Sequence, residues 1–530
     1  MKVKSLLSLL HKLFLPGLIE PFQIKRGKMP VKHIKFHNAA FLLVFAITLF
    51  SCRSQNEVKS SLLFYCAAGI KPAVAKVADE YSQKYHVDIQ LQYGGSGTLL
   101  SNIRVARRGD LYLAGDQSYM ENARRYNLLD ESAPVADLTP VIVVKKGNPK
   151  NIHNVGDLLR ADVSVSIANP SAASIGRLTK KMLTTSGQWH ALREHAKVLK
   201  PTVNDVANDV KLGSVDAGIV WDATGNQYPD LQNIIVPDFK KYVKHVMIGV
   251  LKTSKNPTTA LHFIRYLTAR DKGMIVFKNL GYEPIDGDIW EENPRLLFYS
   301  GGVNRVAVEK AIRAFEKREG VQVTTVYNGC GILVSQIKAG QRPDAYLTCD
   351  TSFMDQVEKQ FTEIENISET KIVILVDKGN RNNIHSLADL TADGLKIGVC
   401  NPQQSALGTL TARLLKKHHL FNSIMKNVRS QTPTADLLVN QMRTGSLDAA
   451  IVYMANTSQV RDKLTVIPLM LADATATQNF GLGTNSGHKY LMRRLLQYII
   501  SDSSRENYLA NGFEWEYKTT KDSLSDRSHD

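Results

Sequence analysis

Tyr93-Gly94-Gly95-Ser96-Gly97 joins two periodic stretches. Before it, Val87, Ile89, Leu91 and Tyr93 alternate as in a half-buried strand. After it, Leu99, Ile103 and Ala106 fall on one stripe of a helix. The small residues between them read as a strand-to-helix turn. The turn returns 234 positions later as Tyr327-Asn328-Gly329-Cys330-Gly331. At the same offset Leu63-Phe64-Tyr65 returns as Leu297-Phe298-Tyr299, and Asp110-Leu111-Tyr112-Leu113 as Asp344-Ala345-Tyr346-Leu347. Lys146-Gly147-Asn148, Asn169-Pro170 and Gly213-Ser214-Val215-Asp216-Ala217 recur at an offset of 232, and Gly281-Tyr282-Glu283 at 231. A near-constant offset over the whole length is the mark of a duplicated unit of about 230 residues. Further β-rich runs (61–66, 110–114, 141–144, 163–167, 218–221) alternate with helical stretches such as 72–84 and 98–107. That pattern predicts an α/β fold with mixed, mostly parallel sheets.

The 530 residues are 43% hydrophobic and 22% charged, the balance of a globular protein. The net charge is +16; eight Lys or Arg against Glu20 in residues 1–51 leave +9 for the rest. A basic body attracts anions. No basic stripe interleaved with aromatic residues points to nucleic acid. Ala39 to Phe50 is an apolar run too short for a comfortable membrane span, and Lys32, His33 and Lys35 precede it. It ends in Leu49-Phe50-Ser51-Cys52, which resembles a lipobox, and then turns polar at Arg53-Ser54-Gln55-Asn56-Glu57. Residues 1–51 are therefore expected to be a leader with a lipoprotein signal, its true start at Met29 and residues 1–28 an over-called beginning, with Cys52 as the lipidated residue and 52–60 as a tether. The expected units are 61–285 and 296–517, joined by 286–295, with a disordered tail at 518–530. The remaining cysteines, Cys66, Cys330, Cys349 and Cys400, have no spacing for zinc and read as packed thiols, although sequence assigns no disulfide.

Three turns in the first unit are rich in small residues and lead into helices: Cys66-Ala67-Ala68-Gly69-Ile70, Gly94-Gly95-Ser96-Gly97-Thr98 and 169–176. Small residues let backbone approach a ligand, and a helix N-terminus offers unpaired N–H groups. Each alone reads as a plain tight turn; three in one unit, repeated in the next, favour an anion site. Ser96, Thr98 and Ser174 add hydroxyl donors. An all-donor cage suits a fully ionised oxyanion.

These motifs, with Lys146-Gly147-Asn148-Pro149 and Asp216-Ala217-Gly218-Ile219-Val220-Trp221, resemble in order and spacing the periplasmic molybdate-binding proteins of ABC transporters. The resemblance runs twice, over residues 61 to 517. It implies two tandem Venus-flytrap (type II periplasmic-binding-protein) units, each of two α/β lobes, with an oxyanion in each cleft. Carried over by position, the ligand residues of the first unit are Ala68, Gly69, Gly95, Ser96, Gly97, Thr98, Ser174, Asn204, Asp205 and Trp221. Those of the second are Gly302, Val303, Gly329, Cys330, Gly331, Ser405 and Tyr453. Gly69 stands where the family has a serine and Trp221 where it has a tyrosine. Cys330, a poor donor, replaces Ser96, so the second unit is expected to bind weakly, bind another ion or serve structurally. Asp205 is either a carboxylate completing a six-coordinate metal or a helix-start residue.

Asp110, Asp116, Asp344 and Asp350 sit at strand ends and read as turn or cap residues. His153, His190, His195, His245 and His262 have no partner at metal-ligand or triad spacing, and no nucleophile elbow or phosphate loop is present. The expectation is a monomeric, extracytoplasmic lipoprotein of the periplasm or cell surface, not an enzyme and without a cofactor. It would capture molybdate or tungstate for a membrane permease. The rivals are another anion (sulfate, thiosulfate, phosphate), an organic ligand, or a surface sensor.

Overall fold

The computed structural model describes residues 60–518. The leader, Cys52, the tether up to residue 59 and the expected tail after 518 lie outside them. Among the described residues no helix is long and apolar enough to cross a membrane.

The first unit folds as two lobes. One holds the sheet β11-β4-β10-β3-β1-β2, from β1 (Ser61–Ala67), β2 (Asp88–Gly94), β3 (Leu111–Ala114), β4 (Leu129–Leu138), β10 (Lys244–Leu251) and β11 (Glu283–Pro284). The other holds β7-β6-β8-β5-β9, from β5 (Pro140–Lys145), β6 (Val165–Ala168), β7 (Val198–Lys200), β8 (Ala217–Trp221) and β9 (Leu231–Ile234). The chain crosses between lobes twice, at Thr139 and between Ile234 and Lys244. The sheets are mixed but not mostly parallel. β1 pairs parallel with β2 and β3, and β6 with β7 and β8, whereas β4, β5, β9, β10 and β11 pair antiparallel. The antiparallel strands are those that carry the chain between lobes or back to the first lobe.

The second unit repeats this plan with one change. Its strands are β12 (Arg295–Gly301), β13 (Gln322–Asn328), β14 (Ala345–Leu347), β15 (Phe361–Asp377), β16 (Ile397–Cys400), β17 (Val428–Thr432), β18 (Ala449–Tyr453), β19 (Leu464–Pro468), β20 (Thr475–Gly483) and β21 (Glu514–Trp515). β15 runs unbroken through both lobes, pairing β20 up to Lys371 and β18 from Ile372. In the first unit this strand is broken into β4 and β5. The reason is local: Ile372 donates its N–H to the Ala474 carbonyl at 2.7 Å, and the residue at that position of the first unit, Pro140, has no N–H to donate.

Each sheet buries an apolar face under helices. Helix Lys71–Tyr85 lays Ala73, Val74, Val77, Ala78 and Tyr81 on the first lobe, where Tyr81 and Phe263 meet edge to face at 5.0 Å. The junction is packed rather than loose. Trp290 stacks edge-on to His262 and Tyr266 at 5.1 and 5.0 Å. The Asp288 carboxylate accepts the N–H groups of Tyr490 and Leu491, both at 2.9 Å, at the start of a helix of the second unit. Beyond it, Arg318 grips Glu131 with two bonds of 2.8 Å. Glu319, fully buried, takes Arg494 at 2.6 and 3.1 Å and Arg265 at 3.3 Å. Three cross-unit carboxylate contacts and an aromatic cluster hold the units against each other.

His262 bonds the Tyr81 hydroxyl at 2.7 Å, and burial holds its imidazole down at about 4. Its unfolded value is about 6.5, so the folded chain binds fewer protons between these limits. Its contribution is complete above about pH 6.5 and is lost as pH falls toward 4. We expect urea midpoints to fall across this window, by the order of 2 kcal/mol for this group after allowance for partial exposure. A His262→Gln chain should lose that part of the slope; an unchanged slope would assign it elsewhere.

Candidate functional site

In the first unit, helix starts from both lobes converge. The first lobe supplies the 3-10 turn Ala68–Ile70 and helix Ser96–Ala106. The second supplies helices Ser174–Thr185 and Val203–Leu212. Their first-turn N–H groups have no intrahelical acceptor. Between them lies a cavity of about 20 Å³ lined by Ala68, Gly69, Gly95, Ser96, Ser174 and Trp221 together with Ala67, Ile70, Gly94, Gly115, Ala173, Ile175, Thr202 and Val203. No lining side chain is charged. Ser96 is 1% exposed, and its oxygen accepts the Gly115 N–H at 3.2 Å, which leaves its O–H to donate. Among the described residues the Ser174 hydroxyl and the Trp221 indole N–H have no hydrogen-bond partner in the chain. The Thr224 hydroxyl, close to Gly69, is also buried without one. Pockets for drug-sized ligands run to roughly 300–1,000 Å³, so this one is on the scale of a small ion.

Four of the expected ligand residues stand outside the cavity lining. The N–H groups of Gly97 and Thr98 both turn to the Ala172 carbonyl, at 2.8 and 3.3 Å. They join the two lobes instead of facing the cavity. Asp205 closes a capping box: its carboxylate takes the Thr202 N–H at 3.1 Å and hydroxyl at 2.6 Å, and its own N–H bonds Thr202 Oγ1. It acts as the helix-start residue, with Oδ2 accepting both bonds. Asn204, beside it on the same turn, has a buried, unpartnered Oδ1. Sequence reasoning passed over Gly115, although it directly ends the run 111–114, where a strand's carboxyl edge meets a cleft. Asp110 and Asp116 act structurally: Asp110 accepts the Leu63 N–H at 2.8 Å, and Asp116 caps the helix that begins at Gln117.

The lobes meet closely. A Cβ on Gly95 would stand 2.4 Å from the Ala172 carbonyl oxygen and 2.6 Å from that of Pro201. One on Gly97 would stand 2.3 Å from the oxygen of Ser171. Both cleft-facing glycines are there because backbone of the opposite lobe occupies the place of a side chain. Behind Gly69, Tyr282 Oη and Gln227 Nε2 both donate to its carbonyl, at 2.7 and 3.2 Å.

The second unit has a cavity of the same size, lined by Gly302, Val303, Gly329, Ser405 and Tyr453 and also by Asn328, Cys349, Leu407, Pro433, Thr434, Ala435, Asp436 and Asn456. Gly331 spends its N–H on the Gln404 carbonyl at 3.1 Å, as Gly97 does on Ala172. Cys330 and Cys349 are not packed thiols; they form a disulfide in the cavity wall. Cys330 thus faces Cys349 rather than a ligand. Cys66 and Cys400 are free and buried, and burial pushes the Cys400 thiol up to about 11. Among the described residues no group of three His, Cys, Asp or Glu could hold a metal ion.

The family of bacterial extracellular solute-binding proteins is matched twice, by residues 62–283 and by 296–514. The molybdate-binding protein of Mycobacterium tuberculosis is 25% identical over 213 residues, 39% of this chain and 79% of that protein. The sulfate-binding protein of Salmonella typhimurium is 27% identical over 235 residues, 38% of this chain and 71% of that protein. Among solved structures, the periplasmic molybdate-binding protein of Azotobacter vinelandii is 15% identical, with a TM-score of 0.37, covering 42% of this chain and 98% of that one.

Proposed function

Because the chain belongs to the family of bacterial extracellular solute-binding proteins, we propose that its first domain captures molybdate or tungstate outside the cytoplasm. It then presents the ion, enclosed between two lobes, to the permease of an ABC transporter, with Cys52 as a lipid anchor. The observation that carries this reading is the uncharged, donor-lined cavity. A dianion with four oxygens and no proton asks for donors on every side and for no acceptor. Helix-start N–H groups, Ser96, Ser174 and Trp221 supply them, and partial charges at helix ends stabilise the ion without a counter-ion that would hold it too tightly for release. Lobe closure removes the ion from water and strengthens each of these bonds.

Sulfate is the second reading. It makes the same demand for donors, and a sulfate-binding relative matches the chain. Titration calorimetry with molybdate, tungstate, sulfate and phosphate tests both. We expect heat from molybdate or tungstate at one ion per chain. Trp221→Phe, which removes one donor and keeps a large aromatic ring, should weaken binding about tenfold. Preference for sulfate would select the second reading; no heat with any oxyanion would overturn both.

A further inference from the structure

The second cleft differs from the first at the places that would face a ligand. Tyr453 replaces Trp221; it lines the cavity and is 2% exposed, and its buried hydroxyl has no partner. Asp436 stands at the cavity mouth, in the position of Asn204, and accepts Asn456 Nδ2 at 2.9 Å. A carboxylate there repels a bare dianion and asks the ligand for a donor. The carbonyl clamp is also gone. Phe513 occupies the position of Tyr282 and has nothing to donate, and among the described residues Gln459, in the position of Gln227, makes no bond to Val303.

Beside Val303 a groove of about 910 Å³ opens, continuous with the cavity through Gly302, Val303, Asp436 and Asn456. It carries Arg305, Lys310, Arg313 and Arg443 against Glu309 and Asp436. Arg313 is engaged by Glu309 at 2.5 Å, but among the described residues no carboxylate lies within ion-pair distance of Lys310 or Arg443. An exposed guanidinium without a partner, in a groove that shares Gly302, Val303, Asp436 and Asn456 with the cavity of an unpartnered hydroxyl, suits a ligand with two acidic ends.

We propose that the second domain binds a small organic dianion, with one acidic group in the Tyr453 cavity, a hydroxyl or ammonium donor against Asp436, and the other acidic group at Arg443 in the groove. The proposal rests on the reading of the chain as a binding protein but not on molybdate in the first cleft. The two domains then carry different ligands. The test is calorimetry on the full chain saturated with molybdate, titrated with malate, O-phosphoserine and succinate. Expected is one malate or phosphoserine per chain, with succinate, which lacks the central donor, about tenfold weaker. Tyr453→Phe and Arg443→Gln should each weaken malate or phosphoserine about tenfold, with molybdate still one per chain. Arg443 is on the surface, so its variant reads binding apart from folding. The proposal is overturned if neither probe binds, if both variants bind like the parent, or if molybdate fills two sites. Malate or phosphoserine binding without any molybdate heat would instead count against the reading of the first cleft alone.

Discussion

A Gly95→Ala chain should lose molybdate affinity about a hundredfold while melting, without ligand, close to the parent. The new methyl would lie 2.4 and 2.6 Å from two carbonyl oxygens of the opposite lobe, and both are backbone, which cannot swing aside. The glycine itself has φ −67° and ψ 145°, a conformation alanine adopts freely, so the substitution strains only the closed state. An open first lobe keeps the donors of Ala68, Gly69 and Ser96 but not those of Ser174 and Val203. Losing half of a donor cage costs about 3 kcal/mol, which is about a hundredfold. Solution scattering should show the ligand-bound parent compact at this cleft and the variant not. Parental affinity in the variant would mean that the ion is held without closure and that Gly95 is not required by it.

Glu319→Ala should destabilise the chain by about 3–5 kcal/mol, the cost of leaving buried guanidinium groups without their counter-charge. Glu319 is fully buried, and Arg265 and Arg494 reach it from the two different domains. Arg265 already has Nε and one Nη buried without partners, so the cluster has no spare acceptor to fall back on. Replacing all three residues by apolar side chains of similar volume should recover most of the loss. Thermal and urea unfolding of the single and triple variants decide it. A cost under about 1 kcal/mol for Glu319→Ala would mean that water reaches the cluster.

The duplication was legible because its evidence is one-dimensional: the spacing of Leu63-Phe64-Tyr65 from Leu297-Phe298-Tyr299 needs no structure to be read. Strands and helices near Gly95 were legible for the same reason, since periods of 2 and 3.6 are local. Pairing direction was not. β10 joins β3 and β4 from more than 100 residues away, and nothing in its own composition says which way it runs. The disulfide was hidden likewise, because Cys330 and Cys349 belong to different elements, 19 residues apart. Gly97 and Thr98 show the limit for a site. Their place at a helix start was readable, but the Ala172 carbonyl that takes their N–H groups comes from the other lobe. Asp205 could be read either way; only the position of Thr202 Oγ1 settles that its carboxylate is engaged.

With Trp290 wedged among aromatic rings of the first domain and Asp288 seated on a helix of the second, the two clefts keep a fixed distance and a fixed number ratio. Two separately encoded proteins would compete for a docking place and drift in abundance with every change in expression. Here whichever cleft arrives first brings the other with it, at an effective concentration set by geometry rather than by the cell.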